Sequence, residues 1–134
     1  MKRQASLSRI KSLRCGGVVI GGEIDPDAGA AIGPSAIREA ERFNFDLCFL
    51  GVCAASVSLG LSAFQIADAE FKRTLIERSE RIAALITLDK VETRAPFQVA
   101  ALAALNHVVL EHNTPEHILS IFYEAGPDVI LAKP

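Results

Sequence analysis

Two stretches of this chain carry residue types suited to gripping a small anion. Gly51 to Ser62, rich in Gly and Ser, follows the apolar run Leu47-Cys48-Phe49-Leu50, and Thr87-Leu88-Asp89-Lys90 follows a second apolar run ending near Ile86. Where such runs are parallel strands, ligands meet their carboxyl ends, because loops and helix N-termini there present unpaired backbone N–H groups. Lys90 adds a cation, and opposite unit charges about 4 Å apart near a surface attract by roughly 4 kcal/mol before desolvation. An ordinary solvated lysine is the plain alternative.

Other residue types point to less. His107, His112 and His117 recur every five residues, a period that does not place them on one face across a strand, a loop and a helix, and zinc needs further ligands at suitable spacing. Cys48 and Cys53 form a C-x4-C pair with no further cysteines to complete a cluster, and Cys48 reads as buried apolar packing. Ser56, Ser58 and Ser62 have no G-x-S-x-G elbow around them. Neither a G-x-G-x-x-G nor a P-loop pattern follows a strand. The sequence therefore predicts no catalytic set, no metal and no cofactor.

The elements that must position these residues alternate in kind, as βαβ units around a mostly parallel sheet would. Val18-Val19-Ile20 reads as a brief strand and Asp25-Pro26-Asp27 as a turn. Gly33-Pro34-Ser35 opens a helix through Phe43. Leu47 to Leu50 reads as a strand covered on both faces, and 51–65 as a long loop, a length at which loops are often functional. A helix is expected from Ile66 to Glu80 with Ile66, Ala69, Leu75 and Ile76 inward, then a strand from Ile82 to Leu88. Ala100 to Leu105 reads as a short helix and Val108 to Leu110 as a strand. Thr114-Pro115-Glu116 supplies an N-cap, a proline at the first helical position and an acid at the positive helix end. That helix ends at Gly126, before a last strand Val129-Ile130-Leu131.

Composition sets the bounds. At 134 residues one domain can bury roughly two thirds of its unfolded surface. Half the residues are apolar and only 6% aromatic, so Ala, Ile, Leu and Val must build the core. The formal charge of −2 supplies no broad cationic field of the kind nucleic acid binders present. Lys2, Arg3, Arg9, Lys11 and Arg14 do form a basic N-terminal arm, residues 1–17, but Cys15-Gly16-Gly17 interrupts any export signal. An odd cysteine count and the lack of a membrane-length apolar stretch fit a reducing cytoplasm and no membrane role.

Residues 18–132 resemble the C-terminal effector domain of DeoR-family transcriptional regulators. Gly21-Gly22, Ile32-Gly33-Pro34, Asp46 to Gly51, Gly60-Leu61-Ser62, Asp68 to Arg73 leading into Leu75-Ile76, Leu85 to Lys90, and Ala125-Gly126 with Val129-Ile130 carry the likeness through their order and spacing. The chain departs from the family where Cys53-Ala54 and Ser62-Ala63 replace more polar or glycine-containing pairs.

The resemblance implies an α/β, Rossmann-like domain over residues 18–134, similar to the sugar-phosphate isomerase and CoA transferase-like fold and incomplete on its N-terminal side. It implies a cytoplasmic repressor module that senses a phosphorylated sugar or related metabolite and reaches DNA only through a helix-turn-helix domain not present in this segment. By position, Gly51, Val52, Cys53, Ser62, Asp68, Lys72 and Lys90 would line the ligand site. An unpaired sheet edge, and hence a homo-oligomer, is expected. Two readings stay open beside this one: an isomerase-like enzyme with Asp68 as base, and an inactive remnant. Phosphate contacts from the basic arm are a further, non-specific route to DNA.

Overall fold

The computed structural model describes residues 16–134, so all but Gly16 and Gly17 of the basic arm lies outside the described residues. The framework is four parallel strands, β3 (Phe45–Gly51), β6 (Ser79–Ile86), β8 (His107–Leu110) and β9 (Asp128–Leu131), in the spatial order β3-β6-β8-β9. The chain makes these strands in that same order. Because crossovers between parallel strands are right-handed, each connection falls on one face of the sheet.

Burial agrees with that geometry. Leu50, Ile82, Ala84, Ile86, Val108 and Leu110 share the covered face and all are buried, packing with Ala69 of helix α2 (Ile66–Glu77) and with Leu119 and Phe122 of α3 (Glu116–Ala125). On the opposite face Leu47, Phe49, Leu85 and Ile130 are exposed, Phe49 to 67%. Strands buried in parallel sheets are normally covered on both faces. Among the described residues, nothing covers the second, apolar face of this sheet and β3 has no strand partner on its outer edge.

Two smaller sheets complete the architecture. β1 (Ile24–Asp25) and β2 (Ala30–Ala31) form a hairpin, followed by α1 (Pro34–Ala40). β4 (Ala54–Ser56), β5 (Gly60–Ala63) and β7 (Phe97–Ala100) form an antiparallel sheet in that order. Short 3-10 turns cover Leu88–Lys90 and Leu102–Ala104.

Several expectations need correction. The long loop over 51–65 is a buried hairpin, β4 to β5. Its Ala, Ser and Gly are small because both strands pack tightly, Gly60, Leu61, Ser62 and Ala63 all being buried. Val18-Val19-Ile20 is not a strand: among the described residues it has no ladder partner, and Val18 and Val19 are exposed. β3 is covered on one face, not two, and Cys48, on the covered face beside Leu50, is half-buried because β3 is the edge strand among the described residues. Helix α2 stops at Glu77, where Arg78 turns away to donate from its guanidinium to the carbonyl of Phe43 at 2.9 Å, so β6 starts at Ser79, three residues earlier than the pattern suggested. Ile66 is exposed rather than inward.

The helix expected at 100–105 is a single 3-10 turn after a strand, β7, that the pattern did not reveal. At α3 the N-cap is Pro115, not Thr114, whose hydroxyl instead donates to the Glu111 carbonyl at 2.6 Å. The remaining expectations hold with small shifts of boundary. These are α1, β3 itself, β8, β9, the Asp25–Asp27 turn and the stop at Gly126, which adopts φ +116°.

Gly60 is the position where glycine is required. Its φ is +73°, and a Cβ there would lie 2.2 Å from the Ala100 carbonyl oxygen. The left-handed backbone alone costs an alanine about 1–2 kcal/mol, and the clash with β7 adds to it. We expect Gly60→Ala to destabilise the fold by more than about 2 kcal/mol in urea unfolding; a midpoint unchanged from the parent would show that the β4–β5 hairpin is not packed against β7 as described.

Candidate functional site

The carboxyl ends of β3 and β6 lie side by side, with Gly51 opposite Leu85, so the loops after both strands emerge at one edge of the sheet. Beyond β3 the chain runs through Val52 and Cys53 into the β4–β5 hairpin. Helix α2 then returns along the covered face. Its sequence favours this: no Gly or Pro interrupts Ile66–Glu77, and Asp68 in the first turn sits at the positive end of the helix dipole.

These elements enclose a tight cleft lined by Leu50, Gly51, Val52, Cys53, Leu61, Ser62, Lys72 and Val99. Five of the seven residues expected at a ligand site, Gly51, Val52, Cys53, Ser62 and Lys72, therefore meet there. Asp68 joins them through Lys72: the ammonium is 2.9 Å from Asp68 Oδ2 and donates to Cys53 Sγ at 3.3 Å, while the thiol donates to the same carboxylate oxygen at 3.4 Å. The Lys72 and Asp68 side chains are 14% and 15% exposed. A charge so far removed from water needs a partner, and Asp68, one helical turn earlier, is placed to be one.

Ser62 is 4% exposed, and its hydroxyl accepts from the Ala95 N–H at 2.9 Å, so it ties the β7 approach to the cleft wall. Lys90 stands apart from this lining. Its ammonium is 3.3 Å from Asp89 Oδ2, and the chain just beyond it is fastened to β4 by an Ala55–Val91 bridge. The Asp89 carboxyl is held below the ordinary carboxylate range, first by the Thr87 hydroxyl and then by Lys90.

A second chamber, of about 170 Å3, opens beside the cleft and shares Cys53 with it; its other walls are Asp27, Ala28, Phe64, Gln65 and Asp68. Pattern reading missed Asp27, Phe64 and Gln65. The turn at 25–27 was legible, but nothing local says that it folds back against the start of α2. Asp25 organises that turn: its Oδ1 accepts from the Ala28 N–H at 2.8 Å, the Asp27 N–H at 2.9 Å and the Gln65 amide at 3.3 Å. The Ala28 bond is the main reason that its carboxyl is lowered from the ordinary value. Gln65 reaches Asp27 Oδ2 as well, at 3.5 Å.

A parallel α/β sheet whose strand ends frame a cation-bearing cleft defines a small-molecule-binding domain of the Rossmann-like class. The sequence pattern of the DeoR C terminal sensor domain matches residues 6–112. The chain belongs to this family: it is a DeoR-type sensor domain, the ligand-sensing kind found in transcriptional regulators.

The chain is 33% identical over 86 residues to the HTH-type transcriptional regulator GlpR of Haloferax volcanii, covering 64% of this chain and 34% of that protein. A protein of Escherichia coli O157:H7 named for transcriptional repression of the aga operon is 24% identical over 114 residues, 85% of this chain and 42% of its own length. The HTH-type transcriptional regulator GolR of Listeria innocua is 22% identical over 116 residues, 87% of this chain and 46% of its own length. The chain thus spans between a third and a half of the curated relatives it matches. Among the described residues no helix is long and apolar enough to cross a membrane.

The Asp68–Lys72 pair should be energetically coupled. A double-mutant cycle with Asp68→Asn and Lys72→Met, followed by urea unfolding, is expected to return an interaction of roughly 0.5–3 kcal/mol. Strictly additive losses would mean that the two charges do not sense each other in solution.

Proposed function

We propose that this chain is the effector-sensing domain of a DeoR-type transcriptional repressor and that its effector is a phosphorylated sugar or a related metabolite. The observation that carries the reading is the Lys72 ammonium, held at the edge where the strands β3 and β6 end, among Gly51, Val52, Cys53 and Ser62. Lys90, at the same edge, is a second cation that a ligand can recruit by drawing it from Asp89. The domain binds rather than transforms its ligand, works in the cytoplasm without a cofactor, and does not itself touch DNA. DNA is reached through a helix-turn-helix domain, and the effector acts by changing which arrangement of the two is favoured.

A ligand that binds only the folded state raises its stability, by about 2.7 kcal/mol at a hundredfold excess over Kd. Millimolar sugar phosphates are therefore expected to raise the melting temperature of the parent chain and to leave that of Lys72→Met unchanged. If no phosphorylated sugar moves the parent's transition, the sensing assignment fails.

Self-association belongs to the same reading. The unpaired edge of β3 and the exposed Leu47, Phe49, Leu85 and Ile130 beside it are the surfaces that a second copy covers. Sedimentation of the parent should report an oligomer that Phe49→Asp converts to monomer with the fold intact by circular dichroism. A parent that sediments as a monomer at tens of micromolar removes this part of the proposal.

A further inference from the structure

We propose that Cys53 and Lys72 form an oxidant-responsive cross-link, in which a hydroperoxide converts the Cys53 thiol to a sulfenic acid and the Lys72 amine displaces its hydroxyl to leave an S–N bond. The inference is independent of which effector the domain senses.

The two groups are in contact before any oxidant arrives. Lys72 Nζ donates to Cys53 Sγ at 3.3 Å across a separation of 19 positions, so the connection from β3 to β4 and helix α2 meet at this pair. Asp68 completes the group: its Oδ2 accepts from the ammonium at 2.9 Å and from the thiol at 3.4 Å. Little of the Lys72 or Asp68 side chain reaches water, and their ends are held against the sulfur. Cys53 also stands where the two hollows adjoin, lining the tight cleft with Lys72 and the chamber of about 170 Å3 with Asp68. The chamber is roomy enough to bring a molecule as small as hydrogen peroxide to the sulfur.

Cys48, the other described cysteine, has the opposite surroundings. It lines an apolar hollow at the β3 edge with Phe45, Leu47, Phe71 and Leu75, and burial pushes its thiol up. A thiol kept protonated in apolar surroundings is inert, whereas reactive cysteines sit partly exposed beside a cation. Cys53 is half-buried with an ammonium against its sulfur.

The chemistry balances with a single oxidant. A sulfur electron pair attacks one peroxide oxygen, the O–O bond breaks, and the thiol proton leaves with the other oxygen as water or, from an organic peroxide, as an alcohol. Lys72 passes a proton to Asp68 Oδ2, 2.9 Å away, and its free amine attacks the sulfur of Cys53–SOH. The S–N bond forms, the S–O bond breaks, and the departing hydroxyl takes a proton from the nitrogen to become water. Sulfur is oxidised and the peroxide reduced, each by one electron pair, and an external thiol reverses the link by attacking sulfur and releasing the amine. Linking removes the ammonium charge and parts Asp68 from its partner, so the cation of the cleft belongs to the reduced protein alone.

The test exposes the 134-residue chain to hydrogen peroxide, with and without dimedone as a trap for sulfenic acid, and maps the products by peptide mass spectrometry. In the parent, the peptide that contains Cys53 and Lys72 is expected to lose the mass of H2, to give fragment ions that join the two residues, and to recover its mass with dithiothreitol, while Cys48 stays a thiol. Cys53→Ser is expected to abolish the change. Lys72→Met should prevent the link and leave the dimedone adduct on Cys53. Lys72→Arg keeps a cation opposite Asp68, and its guanidinium stays protonated and does not attack sulfur, so it decides the matter if the methionine variant folds poorly. A Cys53 that stays a thiol, or one that is oxidised in the parent without bonding Lys72, would overturn the proposal and leave the effector reading untouched.

Discussion

Four parallel strands laid side by side in the order in which the chain makes them leave little freedom for everything else. Each crossover turns the same way, so α2, the β4–β5–β7 sheet and α3 all pile onto one face, and the core of Leu50, Ile82, Ala84, Ile86, Val108, Leu110, Leu119 and Phe122 gathers there. The same order gathers the strand ends along one edge. The cleft exists because the chain leaving β3 must double back, through a hairpin of very small residues, to the covered face that α2 occupies. The bare face with Leu47 and Phe49 is the other consequence of the same handedness, and the surface and the site are two results of one topological constraint.

Electrostatics shape what the cleft can do. Lys72 lies in a part of the molecule where a lone ammonium would be costly, and the Asp68 carboxylate and Cys53 thiol around it offset that cost. The ammonium is thus already satisfied within the fold, by one carboxylate and one thiol. The chamber lined by Phe64 and Gln65 opens on the other side of Cys53.

Much of this was legible in the linear pattern, and its omissions share a cause. Apolar runs such as Leu47–Leu50 and Val108–Leu110, with the Gly126 stop, report local periodicity and backbone preference, and they were read correctly as elements. The β4–β5 hairpin was read as a loop because Ala, Ser and Gly carry no periodic signal, although close packing against β7 is what requires them. β7 itself was invisible, since Phe97–Ala100 is a strand only by virtue of the partner it finds in β5. Six of the seven expected ligand residues come together around Lys72, whereas Lys90 pairs with its neighbour Asp89. Phe64 and Gln65 had no local mark at all, and Asp27 was marked only as part of a turn.

By itself the sequence determined the class of the molecule: an α/β chain of alternating strand and helix, with too little positive charge to seek nucleic acid over its whole surface and with its polar, glycine-bearing segments after the strands. Those properties reside in composition and in intervals of two to four residues, so any reader of the chain can recover them. Tertiary structure alone decided which face of the sheet is bare, that Asp68 and Cys53 enclose Lys72, and that the turn at Asp25 bonds Gln65, forty residues away. These depend on strand order and crossover hand, which bring together positions that no short interval relates.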